Sequence, residues 1–355
     1  LLLASSRAWD ASTLQLALFA QEARVRDLPV SAVVPFGVDA YWREVAPDVT
    51  LSTFDTEARA RAIASTLRAR AESVRANVAV TDDNVLRRLL ARSVSENGCV
   101  LQRLSFGEAP VDTSFGSRFF SRRVPSAYLL PTLREKSAAP RDLSDAATCE
   151  IPMAVSQRDD VVFQAARETP VLVLVPHPEA PHESLSALRA AAQVAKRHSQ
   201  LRIHLLGAPE ALQPLRVHGA ALQIASQLTT GPLGAGSVVL PVGTFAAWVI
   251  AEGDAGASVA LHAMAQRVPL LLWSESTLMP LLEHGVTGRV LSGEGVSAES
   301  LAAAELARLI AHDNEQRALG SAARLRVQRL HGPERLYDAV LEAVARVQSA
   351  ARRAA

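Results

Sequence analysis

Short blocks of consecutive apolar residues alternate with longer amphipathic stretches along this chain. The short blocks are of strand length and the amphipathic stretches of helix length. In the first half, strands are expected at residues 1–5, 30–35, 49–53, 78–81, 99–104 and 127–130. Helices are expected at 12–26, capped by Ser12 or Thr13, and at 57–74 and 85–94. Residues 132–145 turn polar and Pro-containing, which reads as a loop or hinge. The rhythm resumes with strands at 171–175, 201–206, 245–251 and 268–273. Helices are expected at 184–196, in a short piece that follows a Gly253/Gly256 turn, starts about Gly256 and ends near Gln266, in a second short piece ending near Leu282, and at 301–312, 314–330 and 333–350. The pattern between 217 and 243 is weak and assigns no element. Strands alternating with helices predict parallel sheets covered on both faces, an α/β fold of two doubly wound, Rossmann-like domains.

Composition sets the frame for that fold. A chain of 355 residues accommodates about two domains. With 49% hydrophobic and 21% charged residues it is globular and not disordered. A net charge of +1 gives no bulk attraction to nucleic acid. Cys99 and Cys149 have neither metal spacing nor a disulfide framework, so a reduced, cytoplasmic setting is the expectation. No apolar run reaches membrane-span length, which leaves at most peripheral membrane contact. The chain opens on Leu1 and not on Met, which reads as a trimmed start.

The candidate chemistry is concentrated after residue 170. Gly253 and Gly256 open a helix after a buried strand, and the N–H groups of Gly256, Ala257 and Ser258 are expected to face an anion such as a diphosphate. Asp254 and His262, eight residues apart, are expected to face one pocket. His177 and His182 lie in a Pro-rich loop after the strand at 171–175. An exposed surface loop is the bland alternative for that pair, and a helix histidine capped by a neighbour is the alternative for His262. The three histidines match no metal-ligand spacing, so no metal is expected. Gly207-Ala208-Pro209-Glu210 reads either as a plain helix start or as a ligand-facing turn. In the first domain Arg7, Trp9, Asp10 and Asp82 are the groups available at strand ends.

Ala263-Met264-Ala265-Gln266-Arg267-Val268-Pro269 and Glu283-His284-Gly285-Val286-Thr287-Gly288 resemble the donor-site segment of GT-B glycosyltransferases of the family-4 type. Ile151-Pro152-Met153-Ala154-Val155-Ser156 is similar to that family's inter-domain strand. The resemblance covers about residues 150–350. It implies domains at 1–150 and 151–332 facing across a cleft, with a helix at 333–355 returning to the first domain. It implies transfer of a sugar from a UDP- or GDP-linked donor to a sugar, lipid or protein acceptor, with retention at the anomeric carbon and no metal. Asp254 stands where the family's first acid orients the sugar, and His262 where its second acid holds the ribose. Glu252 is a rival for the first acid. His177 and His182 replace the Arg and Lys that clamp the donor phosphates, and Gly207 falls in a turn near the donor. These substitutions also allow a chain that keeps the fold and acts as a binding or scaffolding partner. A GT-B sugar epimerase is a third alternative.

Overall fold

The computed structural model describes residues 2–3, 10–56, 60–82, 86, 90, 94, 98–105, 126–133, 147–156, 169–233, 238, 240–291 and 295–354. The chain divides into two compact units, Leu1–Ser156 with His331–Ala355, and Gln157–Leu330.

The first unit holds strands β1 (Leu2–Leu3), β2 (Ser31–Pro35), β3 (Thr50–Phe54), β4 (Val78–Thr81), β5 (Cys99–Arg103), β6 (Ser126–Thr132) and β7 (Ala147–Pro152). They form one parallel sheet in the order β3-β2-β1-β4-β5-β6-β7. Its helices are α1 (Ala11–Val25), α2 (Asp39–Val45), α3 (Ala60–Ser73) and, from the other end of the chain, α9 (Pro333–Ala354). The expected 85–94 helix lies mostly outside the described residues, although Leu86 and Leu90 are helical. Most of the 132–145 loop also lies outside them.

Helix α1 is capped by Asp10, whose carboxylate accepts from the Thr13 N–H at 2.8 Å; neither Ser12 nor Thr13 is the cap. Helix α2 was not foreseen from its short, mixed sequence, and is held down by the fully buried Trp42. Helix α9 buries Leu336, Tyr337, Val340, Ala343, Val344 and Val347 on one stripe. It packs on α1, β5, β6 and β7. Tyr337 stacks on Phe19 with ring centroids 5.7 Å apart, and the Arg26 guanidinium lies 4.5 Å from the Tyr337 ring centre.

The end of β7 is fixed with unusual completeness. The Ala154 N–H donates to Gln15 Oε1 at 2.6 Å, and Gln15 Nε2 donates to the Ala154 carbonyl at 2.7 Å. The Val155 N–H donates to the His331 carbonyl at 2.9 Å, and His331 Nδ1 donates to the Met153 carbonyl at 2.8 Å. Residues 153–156 are therefore a hydrogen-bonded extension beyond the strand, where the sequence had suggested strand from Ile151 to Ser156. Both places where the chain passes between units are tied to this one knot.

The second unit holds β8 (Val171–Val175), β9 (Arg202–Leu206), β10 (Leu228–Gly231), β11 (Thr244–Val249), β12 (Leu270–Trp273) and β13 (Gly288–Leu291). They are parallel, in the order β10-β9-β8-β11-β12-β13. Every side chain of β8 and of β11 is buried, as a central strand covered on both faces requires. The helices are α4 (Pro181–Ala195), α5 (Pro209–Ala221), α6 (Gly253–Ala265), α7 (Gly295–Ala311) and α8 (Asp313–Leu330). Helix α4 packs with α7, and α6 with α8.

Three parts of this unit differ from expectation. Helix α5 begins at Pro209, as the plain helix start read at Gly207 to Glu210 expects, and runs into the segment that assigned no element, where β10 also lies: α5 carries Pro214 inside it, and β10 exposes two threonines on a sheet edge, so neither has a clear apolar period. The short helix ending near Leu282 is a single 3-10 turn, Met279–Leu281. Thr287 ties the turn that follows, its hydroxyl accepting from the Glu283 N–H at 2.8 Å, and the chain then enters the unforeseen β13.

Gln15 lies 2% exposed and meets both polar groups of Ala154. Replacing it with leucine keeps the volume but strands a buried donor and a buried acceptor. Gln15→Leu is expected to cost about 3 kcal/mol of stability, measured by urea denaturation; a loss below about 1 kcal/mol would show that the knot contributes little.

Candidate functional site

In an open parallel sheet, ligands bind beyond the carboxyl ends of the strands where the strand order reverses direction. In the second unit that point lies between β8 and β11, which pair from Val171 to Val175. The loops leaving the two strands are tied together by one atom. The Val175 carbonyl accepts from the Ile250 N–H at 2.9 Å and from the Ala251 N–H at 3.1 Å. This brings the exit of β8, with Pro176 and His177, against the entry to α6, with Glu252 and Gly253.

The turn itself uses both glycines, for different reasons. Gly253 has φ +66°, a left-handed backbone that side chains resist. At Gly256 a Cβ would stand 1.9 Å from the Ala251 carbonyl oxygen, so the helix can lie this close to the preceding turn only without a side chain there. Glu252 is the N-cap residue of α6. The N–H groups of Gly253 and Ala255 have no acceptor among the described residues, as expected for a first helical turn. The Gly256 N–H is already bonded to the Glu252 carbonyl at 3.3 Å. Ala257 and Ser258 lie further in and are buried. The N–H groups without an acceptor among the described residues thus lie one turn earlier than the donors the sequence suggested, because the helix begins at the first glycine and not at the second.

Asp254 occupies the first turn of α6, partly buried and engaged with a neighbour. His262 lies in the last turn, 7% exposed, and its Nδ1–H donates to the Ser258 carbonyl at 2.7 Å. That bond fixes the neutral tautomer and leaves Nε2 as the remaining acceptor. Burial holds the imidazole pKa below its ordinary value.

His177 is built into its loop. Its N–H donates to Ser184 Oγ at 3.1 Å, and its Nδ1 accepts from the Glu179 N–H at 3.0 Å. In the neutral ring the proton is therefore on Nε2. His182 is exposed in the first turn of α4, directly after Pro181. Gly207 follows β9, and its N–H is bonded to the Gly231 carbonyl at 3.3 Å, so it offers no free donor.

Next to this point lies a cavity of about 370 Å³, lined in part by His182, Glu252, Trp273, Glu275, Arg189 and Glu299. Of the residues singled out in the sequence, His182 and the rival acid Glu252 reach it. The Glu252 carboxylate accepts from the Thr277 N–H at 3.4 Å, joining the loops after β11 and β12. Arg189 and Glu299 pair at 2.7 Å, and Ser186 Oγ donates to the same carboxylate at 3.2 Å. Trp273 packs against the buried Trp248 with ring centroids 5.0 Å apart. Arg189 and Glu299 had no sequence signal, since a lone charge on a helix reads as surface; Trp273 reads as the end of a buried strand and Glu275 as a turn residue.

In the first unit Arg7 and Trp9 lie outside the described residues, and Asp10 is occupied as the α1 cap. The polar group missed there is Arg103, 2% exposed at the carboxyl end of β5 and bonded to Ser12 Oγ. Among the described residues no group of three or more His, Cys, Asp or Glu is placed to hold a metal. Among the described residues no helix is long and apolar enough to cross a membrane.

No protein-family model and no curated protein matches the chain. Solved structures do. A glycosyltransferase from Rickettsia africae superposes with a TM-score of 0.66 at 10% identity, over 98% of this chain and 97% of that one. The Anabaena protein HepE, in complex with UDP and glucose, superposes with a TM-score of 0.65 at 11% identity, over 97% and 99%. The sucrose-phosphate synthase of Thermosynechococcus elongatus gives 0.59 at 14% identity, over 98% and 99%. Likeness of this kind establishes the fold: two Rossmann-like units of the GT-B type.

The buried His262 sets a pH dependence. Unfolded, its imidazole takes a proton near pH 6.5, while in the folded chain it does so only at lower pH. Between those values the unfolded state binds more protons, so this residue makes stability fall as pH drops below about 6.5. Thermal melts at pH 7 and pH 5 are expected to lie closer together for His262→Asn than for the unaltered chain. An equal spacing would mean that His262 is protonated as easily folded as unfolded.

Proposed function

We propose that the chain is a metal-independent, retaining glycosyltransferase of the family-4 type that moves a sugar from a nucleotide-linked donor. The observation that carries the reading is the double acceptance at the Val175 carbonyl, which draws the histidine loop after β8 against the glycine-opened N-terminus of α6. The protein superposed above with UDP and glucose bound has the same fold over nearly its whole length, which supports a nucleotide-sugar donor here.

In this reading the donor diphosphate lies before α6. The N–H groups of Gly253 and Ala255, with the positive end of the helix, receive its charge. His177 and His182 approach from the α4 side and offer imidazole N–H donors to the diphosphate. Charge accumulates on the leaving diphosphate as the glycosidic bond breaks, so donors fixed in advance stabilise the transition state more than the ground state. Asp254 orients the sugar. His262 offers Nε2 to a ribose hydroxyl, one bond where a carboxylate would accept two. Gly207 serves by letting the β9 turn lie close to the site. The acceptor is a sugar, a lipid or a protein.

The test is calorimetric titration with UDP and GDP. One of the two is expected to bind, and His177→Ala and His182→Ala are each expected to weaken it about tenfold, the loss of one charge-assisted contact. Asp254→Ala is expected to retain nucleotide binding and lose transfer from the sugar-linked donor. Failure of both nucleotides to bind would return the chain to the binding or scaffolding role.

A further inference from the structure

We infer that a cavity of about 570 Å³ at the amino ends of β1, β2 and β4 is a strand slot, the seat of an extended apolar segment that runs into Leu1 and lengthens β1. The slot lies wholly within the first unit and is independent of the donor reading.

The two sheets share a strand order but start differently. In the second, β8 holds the place that β1 holds in the first, third from one edge, in the orders β10-β9-β8-β11 and β3-β2-β1-β4. β8 starts level with both neighbours: Val171 pairs with Arg202, the first residue of β9, and with Thr244, the first residue of β11. Even the residue before it belongs to the sheet, since the Pro170 carbonyl accepts from the Arg202 N–H at 2.9 Å. In the first sheet Leu2 pairs instead with Ala32, the second residue of β2, and with Val80, the third of β4. Leu1 lies outside the described residues. Counted back past it in the same register, the next place falls opposite Val30 and Val78, the one before opposite Pro29 and Asn77, and the third opposite Leu28 and Ala76.

All six of those flanking residues line the cavity, so it follows the lane along which β1 continues. Successive residues of a strand point to opposite faces. The first and third places therefore face the way Leu2 does, and Leu2 itself lines the cavity together with Phe19 and Ala23 of α1 and Leu341 and Val344 of α9. Those two places call for apolar side chains, while the second, turned to the other face, does not. Val30 and Val78 are only half-buried, and Leu28 and Leu341 are each 40% exposed, which is the apolar surface such side chains cover. The charged groups at the cavity, Arg24, Arg75 and Asp48, are of both signs, which favours an uncharged segment of chain over the headgroup of an anionic amphiphile.

Three versions of the full chain test the slot. One begins at Leu1, released from a fusion by a protease that leaves no residue behind. The second carries Met-Arg-Val before Leu1, with valine and methionine at the places that face the cavity. The third carries Met-Val-Arg, the same composition with arginine turned inward. The Met-Arg-Val chain is expected to melt at least about 4 °C above both others, the scale of one or two newly buried apolar side chains in a unit of this size. Amide hydrogen exchange across residues 28–32 is expected to slow in that chain alone, with residues 203–206 of the second unit unchanged. Equal melting of the three chains, or a rise shared equally by both extended ones, would overturn the inference. If the three melt alike and laurate raises them all, the cavity is an acyl-chain site and the strand slot falls as well. Nucleotide titration is not needed to read any of these outcomes, so the donor reading stands or falls separately.

Discussion

A single carbonyl oxygen organises the second unit. The oxygen of Val175 receives two consecutive N–H groups from the far side of the sheet's switch point, so the exits of β8 and β11 cannot separate. A parallel sheet by itself leaves these loops to diverge, one toward each face. The two bonds turn that divergence into a fixed corner. Glycine at 256 then lets α6 begin close against the corner, with Ala251 beneath it. Both sets of groups proposed to meet a diphosphate depend on this arrangement, and so does the mouth of the neighbouring cavity.

Much of the fold was legible because buried parallel strands are written as unbroken apolar runs. Val171 to Val175 is fully buried, and the histidine loop and glycine turn follow two such runs directly. The helix start was misplaced by one turn because two glycines three residues apart look alike in sequence. One is required by its positive φ, the other by contact with a distant carbonyl, and only coordinates separate the two needs. Of the cavity next to the switch point, only His182 and Glu252 were legible. Arg189 and Glu299 lie 110 residues apart on helices that pack together, and each alone has the appearance of a solvated surface charge. The start of α5 is written in Pro209 and Glu210, but its internal proline hides how far the helix runs, and the exposed edge removes the apolar period of β10.

The division of the chain has a consequence for how it is made. Residues 157–330 are contiguous, whereas the first unit is built from both ends of the chain and is completed by α9. During synthesis the inserted unit is therefore whole before its host is. Until the final helix emerges, the face of β5, β6 and β7 that α9 covers remains open, and the knot at Ala154 lacks the His331 contribution. The interval in which the nascent chain exposes unburied apolar surface is thus set by the time needed to translate an entire second unit.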